Sequence, residues 1–318
     1  MISVVIPMYN SSKTIERVVE EIKEEFKTIH RPEYEIILVN DGSKDNVVEV
    51  AIGLAEKDHK IKVVNLVKNS GQTNAMFAGY SMAQGEYIIN MDDDLQTPGN
   101  EIHKLIESLE ENNYDVVFAK YPEQKESLFR LIGSNINYKM AHIMTGKPKD
   151  IRTNSFFIMR NYVKDAILKY RYNNPYIFGI IFCITKNVGN VLINHRERAV
   201  GKSNYRFKKL FALWLNGCLS FTIKPLRIAT LSGFVISGVS AIIGIILIIQ
   251  RLLQPTLSMG WTSLMLAIIF FSGVQLLGIG ILGEYLGRFF MTYSNIPNYV
   301  VKETYNIENK KETENEEN

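Results

Sequence analysis

The sequence has 318 residues, is 46% hydrophobic and 22% charged, and carries a formal net charge of +3 with a mean hydropathy of −0.02. These values exclude a disordered, collagen-like or disulfide-scaffold chain. The averages conceal a division, because from Ile228 to Gly283 the only charged side chain is Arg251.

The N-terminal part reads as a soluble-type domain of about 200 residues, long enough to bury its own core, and the charge-poor part as membrane-class sequence. Cys183 and Cys218 are too few for a cysteine-based metal site or a disulfide framework, so a reducing compartment is the default. The start, Met1-Ile-Ser-Val-Val-Ile-Pro-Met-Tyr, has no basic region before its apolar run and reads as a buried strand, not a cleaved signal.

In chain order, strands are predicted at Ile2 to Ile6, Tyr34 to Val39, Ile61 to Leu66, Glu86 to Asn90 and Tyr114 to Ala119. Helical segments alternate with them, which is the pattern of a largely parallel α/β sheet wrapped by helices. The first helix presents Ile15, Val18, Val19, Ile22 and Phe26 as an apolar stripe; another opens at Thr97-Pro98, as N-cap and first helical residue, and runs through Ile102, Leu105, Ile106 and Leu109. A helix follows from Glu126 to Thr145, then short strands at Ser155 to Met159 and Asn187 to Asn194.

Residues 1–205 form the first domain in this reading. Residues 206–227 form an interfacial helix, with Phe207, Leu210, Phe211, Trp214, Leu215 and Cys218 on one side and Lys208 and Lys209 off it. With Arg206, Lys224 and Arg227, these lysines suit an anionic membrane surface better than nucleic acid. Two spans, 228–249 and 263–283, are each long enough to cross a hydrocarbon core of ~30 Å. Basic residues flank the pair on the outside, which predicts a hairpin with both termini cytoplasmic. Residues 284–302 are a juxtamembrane segment, and 303–318, with six Glu and two Lys, a solvated disordered tail.

The polar motifs fall at predicted strand ends, where open α/β sheets bind ligands. Met91-Asp92-Asp93-Asp94-Leu95-Gln96 places three mutually repelling carboxylates together, an arrangement that a hard divalent cation on a diphosphate would relieve; a solvated acidic turn is the alternative. Alternation sends Asp92 and Asp94 one way and Asp93 the other. Asp41, in Asn40-Asp41-Gly42-Ser43-Lys44-Asp45, ends a second strand on the same edge and could accept from a nucleobase imide or make only an Asx turn. Together the two acidic strand ends make a nucleotide-diphosphate cleft plausible. Gly278-x-Gly280-x-x-Gly283 lies inside the second span, follows no strand and is a helix-packing feature, not a dinucleotide fingerprint.

At these residues the chain resembles family 2 glycosyltransferases of the GT-A fold. The resemblance rests on Val4-Val5-Ile6-Pro7-Met8-Tyr9-Asn10, the Asp41-Gly-Ser-x-Asp45 turn, Gly71-Gln72, Ala78-Gly79 and Gly85 through Asp92-x-Asp94-Leu-Gln96. It is strongest to membrane-bound polyprenyl-phosphate glycosyltransferases, such as dolichol-phosphate mannose synthases and undecaprenyl-phosphate glucosyl or aminoarabinose transferases. It continues through His195-Arg196-x-Arg198-x-x-Gly201-Lys-Ser203, Lys224-Pro225-Leu226-Arg227 and Gly280-Ile-Leu-Gly283-Glu284-Tyr285.

The resemblance implies a GT-A domain followed by the interfacial helix and hairpin, and an inverting, metal-dependent enzyme at the cell membrane. It implies transfer of one sugar from a nucleotide diphosphate, with UDP favoured, to undecaprenyl phosphate for cell-envelope glycan modification. Asp41, Pro7, Tyr9 and Asp92 would bind the nucleotide, and Asp92, Asp94 and Gln96 would hold Mg²⁺ or Mn²⁺. Arg130, on a helix face with Ser134 and Tyr138, could reach a phosphate or be a solvated helix Arg; Arg198 and Ser203 before the interfacial helix would meet an anionic group from the membrane, the alternative being a solvated basic turn. Membrane lipids and further copies of the chain, as a homo-oligomer, are the other implied partners.

The sequence departs from this pattern where relatives often carry a catalytic acid. Asn154 stands in that place within Arg152-Thr153-Asn154-Ser155-Phe156-Phe157, so either Asp150 acts or no carboxylate does. A polyprenyl phosphate, with a second pKa of roughly 6, is already a nucleophile at neutral pH. The rivals are a transferase to another lipid acceptor, a polysaccharide synthase and an inactive nucleotide-binding scaffold. A Gln-x-x-Arg-Trp motif is expected of the synthase, but neither Trp214 nor Trp261 follows an Arg.

Overall fold

The computed structural model describes residues 1–122, 147–148, 150–170, 176–194, 224–253, 260–293 and 297–307. The predicted helix at Glu126 to Thr145, with Arg130, and the segment carrying Arg198, Ser203 and the interfacial helix lie outside them. The chain divides into two units, residues 1–205 with 296–318, and residues 206–295.

The first unit begins with β1 (Ile2–Met8), α1 (Ile15–Thr28), β2 (Tyr34–Asn40), α2 (Val47–Lys57), β3 (Ile61–Leu66), α3 (Gln72–Met82) and β4 (Tyr87–Asn90). It continues through a short 3₁₀ turn at Gly99–Glu101, α4 (Ile102–Glu111), β5 (Val116–Lys120), β6 (Phe157–Arg160), α5 (Asn161–Leu168), α6 (Ile177–Ile184) and β7 (Val188–Leu192). After the second unit the chain returns as β8 (Val301–Tyr305). Among the described residues the strands form one sheet in the order β7-β5-β6-β4-β1-β2-β3-β8. Strands β1 to β4 pair in parallel, whereas β6 runs antiparallel to β4 and β5, and β8 antiparallel to β3.

The central strands are β-branched on both faces because helices cover both: every residue of β1 is buried, and β2 is buried from Glu35 onward. Helix α1 buries the predicted stripe Ile15, Val18, Val19, Ile22 and Phe26, and α4 buries Ile102, Leu105, Ile106 and Leu109. Each fully buried side chain of this size contributes about 1.5–3 kcal/mol. Helix α3 lies so close to the sheet that a Cβ on Gly79 would stand 2.3 Å from Val5 Cγ1. This contact explains a helix-interior glycine despite its cost of about 1 kcal/mol relative to Ala.

Two expectations are corrected. Thr97 and Pro98 do not open a helix, because Pro98 is extended and the α-helix starts only at Ile102, after the 3₁₀ turn. The acidic tail does not begin at Glu303, since Val301–Tyr305 pairs with the open edge of β3 and satisfies its backbone groups. The side chains follow suit: Tyr305 packs on the core, and Asn306 Nδ2 donates to the carbonyls of Ala55 and Ile61 at 2.6 and 3.0 Å.

The second unit contains α7 (Lys224–Leu253) and α8 (Trp261–Tyr293), which touch each other. The predicted 228–249 and 263–283 lie within these helices. Among the described residues, Phe270–Gly287 is long and apolar enough, by length and composition, to cross a membrane.

Candidate active site

The site lies beyond the carboxyl ends of β1, β2 and β4, where a cleft of about 540 Å³ opens. Asp41 follows β2 and is almost fully buried. It makes no Asx turn; its carboxylate accepts the Ser70 N–H at 2.6 Å and the Gly71 N–H at 2.9 Å. Burial raises its pKa, and these two hydrogen bonds oppose the rise. Gly42 turns the chain with φ +63°, and a Cβ there would stand 2.4 Å from Asn69 N, so the two loops meet backbone to backbone. Asn69 and Gly71 then line the cleft beside Asp41.

The acidic turn after β4 faces this loop. Asp92 Oδ1 accepts from Gln72 Nε2 at 2.8 Å, and Oδ2 accepts from the Ser155 hydroxyl. Burial, with Asp93 and Asp94 adding repulsion, pushes the Asp92 pKa up to about 6 against those two hydrogen bonds. Asp93 is held from the other side, its Oδ2 accepting the Tyr9 N–H at 3.0 Å and its carbonyl the Thr14 hydroxyl at 2.6 Å. Burial raises its pKa as well. Asp92 and Asp93 thus have opposite sets of partners, as strand alternation predicts. Asp94 Oδ1 accepts the Gln96 N–H at 3.1 Å, around a Leu95 with φ +63°. A bulky residue in the left-handed region costs about 1–2 kcal/mol; Leu95 packs against the core, which holds it there.

Of the sequence-derived site residues, Pro7, Tyr9, Asp41, Asp92, Asp94 and Gln96 all line this one cleft. Asp150 is exposed and does not line it. Asn154 does approach: its Oδ1 accepts the Phe156 N–H at 3.2 Å and stands 3.2 Å from Ser155 Oγ, whose single proton goes to Asp92, and its side chain bonds the Tyr121 hydroxyl, which also reaches Thr97. A second cavity of about 430 Å³ shares Gln72 and Ser155 with the cleft and adds Asn154, Thr153 and the apolar Met76, Ile177 and Phe178.

Gln72, Ser155 and Tyr121 were not assigned roles from sequence. Ser155 was reachable in principle: β4 and β6 pair Asn90 with Phe157, so two steps further along each strand bring Asp92 beside Ser155.

The donor set fits a hard divalent cation. Asp92 and Asp94 offer carboxylate oxygens, and a cation would relieve the burial and repulsion that hold the Asp92 proton. Among the described residues no three His, Cys, Asp or Glu side chains form a cation cage. One or two carboxylates completed by ligand phosphates is the usual manner of Mg²⁺.

Fold and site define an α/β domain with an acidic ligand cleft at the carboxyl ends of its parallel strands. Residues 3–168 match Glycosyl transferase family 2, and the chain belongs to that family. It is 32% identical over 310 residues to an uncharacterized glycosyltransferase of Bacillus subtilis, covering 97% of this chain and 95% of the relative. It is also 32% identical to the undecaprenyl-phosphate 4-deoxy-4-formamido-L-arabinose transferase of Yersinia enterocolitica, over 99% of this chain and 95% of that one. With the bactoprenol glucosyl transferase of Shigella phage SfII it shares 31% over 96% and 98% of the two chains. Among solved structures, the Mycobacterium tuberculosis glucosyl-3-phosphoglycerate synthase in complex with Mn²⁺ and UDP-glucose shares the fold, with TM-score 0.50 and 15% identity over 69% of this chain and 79% of that one. The GT-A resemblance of the first domain thus holds.

Proposed function

We propose that this protein transfers one sugar, with inversion, from a nucleotide diphosphate sugar to a polyprenyl phosphate at the cytoplasmic face of a membrane. The observation that carries the reading is the facing of Asp92 and Asp94 after β4 by Asp41 after β2 across one cleft. It occurs in a chain similar along nearly its whole length to an undecaprenyl-phosphate transferase and a bactoprenol glucosyl transferase. Uridine diphosphate is the favoured nucleotide.

In this reading Asp41 faces the base, Pro7 and Tyr9 line the nucleoside, and Asp92, Asp94 and Gln96 face the diphosphate. A divalent cation bound by Asp92 and Asp94 would neutralise charge on the leaving diphosphate. Gln72 and Ser155 fix the Asp92 carboxylate, and Asp93 fixes the turn to the start of α1. The second cavity, polar at Asn154 and Ser155 and apolar at Met76, Ile177 and Phe178, suits the sugar and the arriving acceptor. No carboxylate is assigned as base. An acceptor phosphate is ionised at neutral pH and needs positioning more than deprotonation. The insoluble acceptor accounts for α7 and α8 as a membrane hairpin, with Phe270–Gly287 as one span.

The test is to incubate full-length, detergent-solubilised protein with undecaprenyl phosphate, Mn²⁺ or Mg²⁺ and a panel of nucleotide sugars, and to identify the lipid product by mass. One lipid-linked monosaccharide is expected, with Asp94→Asn losing at least ~100-fold in turnover while still inserting into membranes. Absence of a lipid product with every donor, despite nucleotide binding, would favour an inactive scaffold.

A further inference from the structure

The returning strand β8 does more than cover an edge. Asn40, Asn65 and Glu303 stand in register on β2, β3 and β8, where the strands approach the cleft. Their side chains form an unbroken series. Asn65 Nδ2 donates to Glu303 Oε1 at 2.6 Å, Asn40 Nδ2 donates to Asn65 Oδ1 at 2.8 Å, and the Ser43 N–H donates to Asn40 Oδ1 at 3.1 Å. From Ser43 the series passes into the β1 loop, with the Asn10 N–H donating to Ser43 Oγ at 3.1 Å and the Lys44 N–H to Asn10 Oδ1 at 2.8 Å.

The direction of every bond is fixed from both ends. A carboxylate only accepts, so Asn65 must turn its NH₂ toward Glu303 and its oxygen toward Asn40; a backbone N–H only donates, so Asn40 must turn its oxygen toward Ser43. Asn40 and Asn65 are both buried, where a reversed amide would leave donors facing donors. The series ends in the Asp41-Gly42-Ser43 turn, and its far end is held by a strap: the Val67 N–H donates to the Val300 carbonyl at 3.0 Å, just before the loop whose Ser70 and Gly71 hold Asp41.

We infer that Glu303 is a positioning residue for the nucleotide end of the cleft, setting the Asp41 turn through Asn65 and Asn40. The inference rests on the nucleotide reading given above only for its effect on donor binding; the relay itself is independent of what the cleft binds. Glu303 touches no substrate in this scheme. It fixes the amide orientation of Asn65, and thereby the acceptor that Ser43 meets. A strand that merely covered the β3 edge would need its backbone at residue 303 and be indifferent to the side chain.

The experiment compares full-length wild type with Glu303→Ala, Glu303→Gln and Asn65→Asp. Gln keeps an oxygen for Asn65; Ala removes it; Asp at 65 removes the donor and sets like charge against Glu303. Amide hydrogen exchange over residues 40–46, without ligand, is expected to quicken about three- to tenfold in Glu303→Ala and Asn65→Asp and to stay near wild type in Glu303→Gln, while β1 is unchanged. The KM for the nucleotide-sugar donor should rise by a similar factor with kcat within about twofold. Unchanged exchange at 40–46 in Glu303→Ala, or an equal quickening across the whole domain, would overturn the relay. Quickened exchange at 40–46 in Glu303→Ala and Asn65→Asp, with a wild-type protein that turns over no nucleotide sugar, would sustain the relay and defeat the proposed function instead.

Discussion

Gln72 Nε2 donates to Asp92 Oδ1 at 2.8 Å, tying the first residue of α3 to the acidic turn after β4. With the Ser155 hydroxyl on the other oxygen, this bond favours the ionised carboxylate against burial and two neighbouring acids, which together place its pKa at about 6. Removing either donor leaves burial less opposed, so the pKa of Asp92 rises further. Gln72→Leu and Ser155→Ala are each expected to move the acidic limb of the kcat/KM profile upward by about one pH unit. Activity at pH 6.5 then falls more than at pH 8.5. Profiles that superimpose on wild type after scaling would show that Asp92 does not set that limb.

The same raised pKa makes Asp92 a local cost to stability. The folded protein holds a proton that the unfolded chain releases near pH 3.8, so stability falls as pH rises from about 4 to 6 and stays lower above that. Asp92→Asn removes the charge. In cation-free buffer it should stabilise the domain at pH 7 by about 1–3 kcal/mol, and the gain should vanish below pH 4. Denaturant titrations at pH 3.5 and 7 measure this directly. A variant less stable than wild type at pH 7 would mean that the carboxylate's hydrogen bonds outweigh its burial.

Much of this arrangement was legible in the sequence, and the misses have physical reasons. The apolar stripe of α1 and the β-branched runs of β1 to β3 gave their elements because burial on a sheet leaves a periodic signature. Asp41, Asp92 and Asp94 stood out because strand-end acids are costly without a purpose, and Gln96 came only with the family resemblance; the fold brings all four to one cleft. Ser155 and Gln72 carry no such cost: each is an ordinary polar residue until the antiparallel β4–β6 register and the position of α3 bring it to Asp92. Asp150 was raised only because the resemblance puts an acid near Asn154, and the fold leaves it exposed and outside the cleft lining. Strand β8 was hidden by its charges, because an edge strand with one solvated face reads like the tail that follows it.

Gly42 tests the packing of the two loops that make the Asp41 end of the cleft, where the proposed function puts the nucleotide. Its φ of +63° and the 2.4 Å separation that a Cβ would have from Asn69 N forbid a side chain without backbone movement. Gly42→Ala is expected to cost about 1–2 kcal/mol from the left-handed conformation, with the contact adding to it, and to lower Tm by several degrees. Nucleotide affinity should fall as well, because the displaced backbone is that of Lys68 and Asn69. A variant with wild-type Tm would show that the loops can separate freely.

Asp41→Asn tests loop support separately from the proposed recognition of the base. Its two oxygens accept from the Ser70 and Gly71 amides, so Asp41→Asn must turn an NH₂ toward one of two backbone donors in a buried place. That mismatch should cost about 1–3 kcal/mol, seen as a lower Tm. Each carboxylate oxygen keeps a further lone pair, which in the proposed reading meets the imide N–H of uracil. Cytosine presents an acceptor at that position and is repelled by a carboxylate, whereas Asn can donate to it. Wild type should therefore prefer UDP to CDP, and Asp41→Asn should narrow that preference about tenfold, a change of roughly 1.4 kcal/mol. Calorimetric titration of both nucleotides measures it. A lower Tm with the UDP-to-CDP ratio unchanged would confine Asp41 to holding the loop.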